Sequence, residues 1–372
     1  MKVLNVVGAR PNFVKIAPLM AELQRHPDIA TTLVHTGQHY DVAMSRRFFD
    51  DLAIPAPDVD LGVGSGSHAE QTAEVMKRIE PVLQTVKPDV VIVVGDVNST
   101  LAAALTATKL GLAVAHVEAG LRSFDRTMPE EINRILTDAI ADLLFVTEES
   151  GRTNLSNEGV PSDRIHLVGN IMIDTLESSR PRWQASDIGR RLGLAPDTPY
   201  AVLTLHRPTN TDEIGRLDSL LDAMARVAQQ VPLVFPVHPR TRQQLERHHR
   251  LPVMAERGLV LVDPLGYVDF IGLMARARVV LTDSGGVQEE TTVLGVPCLT
   301  MRENTERPAT VTDGTNTIVG TRPDDVVAAT LAVLRGAARS PRRPPLWDGK
   351  SAQRIVDVLI RTYSGGTSHG HG

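Results

Sequence analysis

Cysteine is nearly missing. Cys298 is the single one in 372 residues, so no internal disulfide can form, and its place in the apolar run VPCLTM predicts a buried structural thiol and not a nucleophile. Long apolar runs are missing as well. No stretch reaches the length of a membrane span, and the opening MKVLNVVGARP has the pattern of a strand entering a loop, not of a signal peptide. A soluble, cytoplasmic protein is therefore expected. Neither sign of charge dominates: 39 Lys and Arg stand against 44 Asp and Glu, the net charge is -5, and the basic residues are dispersed. That excludes the electrostatic footprint of a nucleic-acid binder, and any phosphate partner should be small.

Several chemical signatures are absent too. Gly62-Val63-Gly64-Ser65-Gly66 follows no convincing apolar strand and does not match the G-x-G-x-x-G spacing, while Gly349-Lys350-Ser351 lacks the upstream glycine of a P-loop. There is no G-x-S-x-G elbow and no cluster with zinc-ligand spacing. These gaps argue against a nicotinamide enzyme, a P-loop NTPase and a zinc hydrolase. Neither a metal nor a cofactor is expected.

What the chain does contain is a repeated alternation of apolar strands and helical patterns. Val3 to Val7, Thr32 to His35, Val90 to Val94, Ala113 to His116, Leu143 to Thr147 and Ile165 to Val168 read as strands, several followed by a polar turn and a helix. After Gly169-Asn170 the pattern loosens through a stretch rich in Arg, Ser and Pro. It resumes with strands at Tyr200 to Leu205, Leu233 to Val237, Leu259 to Val262, Val279 to Thr282 and Val296 to Met301. Repeated βα units predict an α/β fold with parallel, doubly wound sheets, and the length suits two domains. The expected division is residues 1–170 and 171–350, with an amphipathic helix at 351–363 packing back on the first domain. Residues 364–372, SGGTSHGHG, read as a flexible tail; its His369 and His371 pair could bind a stray metal, but the tail is the preferred reading.

In open α/β sheets the functional groups gather just after the strands. Here those positions are polar: Arg10, Lys15, Asp96, Glu118 and the segment DRTMPEEINR in the first half, and His206-Arg207, His238, Asp283-Ser284, Glu290 and Glu306-Arg307 in the second. The stretch VVLTDSGGVQEE runs from a strand through Ser284-Gly285-Gly286 into a helix, whose unpaired N–H groups suit a phosphate, although the same pattern serves as a tight turn. Other bland readings also stand. Asp96 and Ser99 suit helix caps, Glu130 and Glu131 suit the first turn of a helix, and His206 before Arg207-Pro208 suits a structural turn.

Taken together, GARPNFVKIAP, GDVNST, HVEAGLRSFDRTMPEEINR, LTLHRP, LTDSGGVQEE and MRENTERP resemble the non-hydrolysing UDP-N-acetylglucosamine 2-epimerases over nearly the whole chain. The resemblance implies two Rossmann-like domains facing across a deep cleft, the B-type glycosyltransferase fold. It implies interconversion of UDP-GlcNAc and UDP-ManNAc without NAD, by loss of UDP to a 2-acetamidoglucal and its re-addition. The matching catalytic positions are Asp96, Glu118, Glu130 and His206. Arg10, Lys15, Ser284, Gly285, Gly286, Glu290 and Arg307 match substrate-binding positions, with Glu290 on the ribose. Phe270 matches a position near the uracil, and Leu265 stands where some members carry glutamine. The family is usually dimeric, and many members are activated by UDP-GlcNAc at a second site, to which Gln38, His39 and the segment around Arg122 are assigned as candidates. A hydrolysing relative, or a 2-epimerase of a modified UDP-GlcNAc, is the alternative.

Overall fold

A computed structural model describes residues 1–38, 49, 51–337 and 342–363; His39, the Arg10 side chain and the 364–372 tail with its two histidines lie outside them. The chain divides into two compact units, Met1–Ser178 joined by residues from Pro345 onward, and Ser179–Pro344.

The first unit is built on a seven-stranded parallel sheet in the order β3-β2-β1-β4-β5-β6-β7. Its strands are β1 (Lys2–Val7), β2 (Ala30–His35), β3 (Val59–Asp60), β4 (Val90–Val94), β5 (Ala113–Ala119), β6 (Leu143–Val146) and β7 (Ile165–Leu167). The VVIVV run of β4 sits centrally and is wholly buried, as β-branched residues covered on both faces should be. Each such side chain stabilises the fold by about 1.5–3 kcal/mol. The helices used below are α1 (Arg10–Leu23), α2 (His68–Val86), α3 (Asn98–Lys109), α4 (Pro129–Ile140), α5 (Glu149–Asn157) and α6 (Ile171–Ser178).

The first unit ends later than residue 170 because α6 packs on α1, with the Thr175 hydroxyl donating to the Val14 carbonyl at 2.5 Å. The chain returns to this unit after the second one. The Trp347 indole N–H, fully buried, donates to the Thr147 carbonyl at 3.0 Å, and Asp174 accepts from the backbone N–H groups of Ser351 (3.1 Å) and Ala352 (2.7 Å). Asp174 thereby caps the final helix, Ser351–Tyr363.

The second unit carries a six-stranded parallel sheet in the order β10-β9-β8-β11-β12-β13. The strands are β8 (Ala201–Thr204), β9 (Leu233–Pro236), β10 (Leu259–Val262), β11 (Val279–Thr282), β12 (Cys298–Thr300) and β13 (Asn316–Ile318). Its longer helices are α7 (Ile214–Ala228), α8 (Tyr267–Met274), α9 (Gly285–Leu294) and α10 (Pro323–Leu334), with α11 (Ser351–Tyr363) closing the first unit. Leu217, Leu220, Leu221 and Met224 of α7 pack with Val279 and Leu281 of β11 in one buried core. Cys298 is fully buried on β12, and burial pushes its thiol up to about 11, so it stays an inert core group.

Candidate functional site

In the first unit the ends of β4 and β5 bring three charged groups together. Lys15 of α1 and Glu118 form a direct ion pair, both buried. The Gly95 turn lies beside them: a Cβ there would sit 3.0 Å from Lys15 Nζ and 3.7 Å from Glu118 Oε2, and its φ of +68° suits glycine. Asp96, the next residue, pairs through Oδ2 with Arg134 of α4, while Asn133 donates to the Asp96 carbonyl at 2.9 Å.

Asp96 and Ser99 are therefore not helix caps. Helix α3 starts at Asn98 with no side-chain cap at Val97. The polar residues of its first turn bond elsewhere: the Ser99 backbone N–H and hydroxyl meet Gln38 Oε1 at 3.1 and 2.7 Å, and the Thr100 hydroxyl donates to the Val94 carbonyl at 2.9 Å. Buried donors take the strongest acceptors in reach, and here those lie across the sheet end.

Glu118 stands at an irregularity in β5. The register to β6 shifts between Val117 and Ala119, and Glu118 has φ +74°. This is a bulge, which re-aims one side chain at a cost of about 1–3 kcal/mol for a non-glycine residue in that region.

On α4, Glu130 is half-buried at the first turn, whereas Glu131 is turned fully inward. Glu131 accepts from the backbone N–H groups of Ser123 and Phe124 (3.1 and 2.8 Å to Oε1) and pairs with Arg134. Arg134 thus spans Glu131 and Asp96, a link that the spacing of the sequence does not disclose. Arg122, grouped above with a possible second ligand site, is buried and occupied by Asp138 and Glu158 at 2.6 Å each. Phe124 beside it is 78% exposed at φ +58°.

In the second unit the ends of β8 and β11 meet. Asp283, fully buried, accepts from the His206 and Arg207 backbone N–H groups at 3.0 and 2.9 Å, and His206 Nδ1 lies 2.9 Å from its Oδ1. Burial pushes the Asp283 carboxyl up, but His206 and the backbone N–H groups outweigh it and hold the group at about 2.

Helix α9 begins at Gly285, so both glycines lie inside its first turn and Ser284 is the N-cap, without a side-chain cap bond. A Cβ on Gly285 would fall 2.6 Å from Arg307 Nη1 and 2.8 Å from Glu306 Oε1, which makes glycine the residue that lets Arg307 lie against the helix start. Glu306, buried, gathers Arg307 (2.6 Å), Arg302 (2.8 Å) and Arg207 (3.3 Å), and these three cations hold it well below the carboxylate range despite burial. An arginine beside a helix start is an arrangement suited to an anion. One turn on, Glu290 is buried; desolvation, with the neighbouring Glu289 adding, pushes it up to about 8, and the Tyr267 hydroxyl pulls it part of the way back. Leu265 and Phe270 are half-buried, Leu265 in the loop before α8 and Phe270 on that helix.

Among the described residues no group of His, Cys, Asp and Glu has the arrangement of a metal site, and no helix is long and apolar enough to cross a membrane.

The family profile described as UDP-N-acetylglucosamine 2-epimerase matches residues 21–360. The chain is 40% identical to the UDP-N-acetylglucosamine 2-epimerase of Methanocaldococcus jannaschii, covering 96% of this chain and 99% of that one. It is 41% identical to the UDP-2,3-diacetamido-2,3-dideoxy-D-glucuronate 2-epimerase of Pseudomonas aeruginosa over 97% and 100% of the two chains. The crystal structure of the Methanocaldococcus jannaschii UDP-GlcNAc 2-epimerase in complex with UDP-GlcNAc and UDP superposes with a TM-score of 0.89 at 39% identity, covering 97% of this chain and 100% of that one. An α/β fold with two parallel sheets that matches these proteins along nearly its whole length is that of a sugar-nucleotide epimerase, an isomerase. The chain belongs to the UDP-N-acetylglucosamine 2-epimerase family.

Proposed function

We propose that the protein is a non-hydrolysing 2-epimerase that interconverts UDP-GlcNAc and UDP-ManNAc through a 2-acetamidoglucal. The C2 hydrogen of the sugar is not next to a carbonyl, so it leaves together with departure of UDP from C1, and the reverse addition delivers a proton to the other face. That chemistry needs acid–base groups for the two faces and strong stabilisation of a diphosphate leaving group. The observation that carries the reading is the buried Lys15–Glu118 pair beside Gly95-Asp96, a set of proton-handling groups at adjoining strand ends.

In this reading Asp96, Glu118 and Glu130 handle protons. Arg10, His206, Arg307 and the Ser284-Gly285-Gly286 helix start receive the diphosphate. A Glu290 carboxyl that keeps its proton near pH 7 both donates to and accepts from ribose hydroxyls. Leu265 and Phe270 flank the base. A homodimer and activation by a second UDP-GlcNAc belong to the same proposal, read by light scattering and by the sigmoidicity of the rate.

The test is incubation with UDP-GlcNAc in deuterium oxide. Deuterium at C2 and a mixture of both UDP-sugars are expected; accumulation of free N-acetylmannosamine would establish hydrolysis instead, and no C2 exchange would end the proposal. A second reading, epimerisation of a diacetamido uronic acid linked to UDP, draws support from the 41% identity to the Pseudomonas aeruginosa enzyme. Comparing kcat/KM for the two UDP-sugars decides between them.

A further inference from the structure

His116 lies in the middle of β5 and is completely buried, yet it is no part of the acid–base set. Its Nδ1 lies 2.7 Å from Asp138 Oδ1 on α4, and its Nε2 lies 2.8 Å from the Gly95 carbonyl at the end of β4. A carbonyl oxygen only accepts. Asp138 accepts as well, because its other oxygen receives the Gly120 N–H at 3.0 Å and Arg122 Nη1 at 2.6 Å. Burial pushes the Asp138 carboxyl up, but His116 and Arg122 outweigh this and hold it below its ordinary range, so it is ionised. Arg122 is in turn gripped by Glu158, at 2.7 Å through Nε and 2.6 Å through Nη2. Both ring nitrogens thus face an acceptor.

We propose that His116 is a positioning residue, which with Asp138 ties the Gly95-Asp96 turn to the Glu118-Gly120 turn and so fixes the spacing of the proton-handling groups. The chain of contacts runs from the Gly95 carbonyl through His116 and Asp138 to the Gly120 N–H. Both of its ends are glycines in the left-handed region, φ +68° and +79°, and Asp96 and Glu118 sit within two residues of them. Glycine is conformationally permissive, so such turns take a fixed geometry from the bonds around them. A buried pair bonded at both ends provides this. The catalytic part of the inference rests on the reading of Asp96 and Glu118 as acid–base groups; the bracing part does not.

Two measurements separate these parts. Amide hydrogen exchange should be faster at Gly95, Asp96 and residues 118–120 in His116→Gln than in the wild type, with the amides of α9 unchanged as the control for folding. Unchanged exchange at both turns overturns the proposal. In kinetics, His116→Gln should lower kcat by about a hundredfold, the scale of a misplacement of roughly 1 Å. UDP affinity should stay within about twofold, since His206, Arg307 and the Ser284-Gly285-Gly286 helix start, to which the proposed function gives the diphosphate, lie in the second unit. A wild-type kcat in His116→Gln, alongside inactive Asp96→Asn and Glu118→Gln, overturns the brace. Wild-type rates in Asp96→Asn and Glu118→Gln instead overturn the acid–base reading, while faster exchange at the two turns in His116→Gln continues to support the brace.

Discussion

Glu118 and Glu290 are both buried carboxyls, and the sign of the nearest charge differs between them. Glu118 has Lys15 against it. Glu290 has Glu289 and little water, and its proton stays on to about pH 8. That value lies above the 4.5 of an ordinary glutamate, so the folded protein keeps a proton that the unfolded chain has lost. The associated stability is fully present below about pH 4.5 and is lost as pH rises through 8. Glu290→Gln, which imitates the neutral acid, should therefore gain on the wild type between pH 6 and pH 9 in the absence of UDP, by about 5 °C in melting temperature. Equal melting curves at pH 9 would contradict this. In turnover, Asp96→Asn, Glu118→Gln and Glu130→Gln should each lower kcat by about a hundredfold or more with UDP binding largely kept, and Arg307→Ala should weaken UDP by about tenfold or more in calorimetry. Glu130 is the most exposed test of the three, since Glu131 beside it is the residue built into the Arg134 network.

At the scale of elements, α9 and α11 depend on contacts made at their first turns. Helix α9 is readable from SGG, but the reason for Gly285 is not local: the side chain of Arg307 occupies the place of a Cβ. Gly285→Ala should displace that guanidinium and weaken UDP binding by about tenfold, with a smaller change in kcat; unaltered affinity would show that Arg307 relaxes without loss. Helix α11 is capped from a distance by Asp174, whose carboxyl burial pushes up to about 6. Asp174→Ala should destabilise the docked helix by about 1–2 kcal/mol, seen as faster amide exchange over residues 351–363. Helix α2 had a legible signal as well. Ser67 and Glu70 form a capping box ahead of it, the S-x-x-E pattern, although Pro81 within the helix obscures its length.

At the scale of the molecule, the two sheets were legible because buried parallel strands are continuous apolar runs and their helices are periodic. Short strands were not: Val59–Asp60 and Asn316–Ile318 carry too few apolar residues to stand out and are defined by pairing at the sheet edges. The division at Ser178 was also not legible, since a helix after a loop can pack on either side. If the anion seat is formed wholly within the second unit, UDP at a hundred times its dissociation constant should stabilise the protein by about 2.7 kcal/mol. The accompanying amide protection should be concentrated at residues 206–210, 284–290 and 302–307, and protection confined to the first unit would contradict it.

The sequence by itself determined the α/β class, the repeating βα order and the polar residues at the strand ends, because periodicity and strand-end chemistry are local properties of the chain. Only the tertiary structure decided which of those residues touch. Lys15 meets Glu118, Arg134 spans Glu131 and Asp96, and His116 meets both Asp138 and Gly95 because strands distant in sequence are neighbours in the sheet. Protonation was decided there too. Burial and the sign of the nearest charge separate Asp283, held at about 2, from Glu290, held at about 8, and neither quantity exists until the chain has folded.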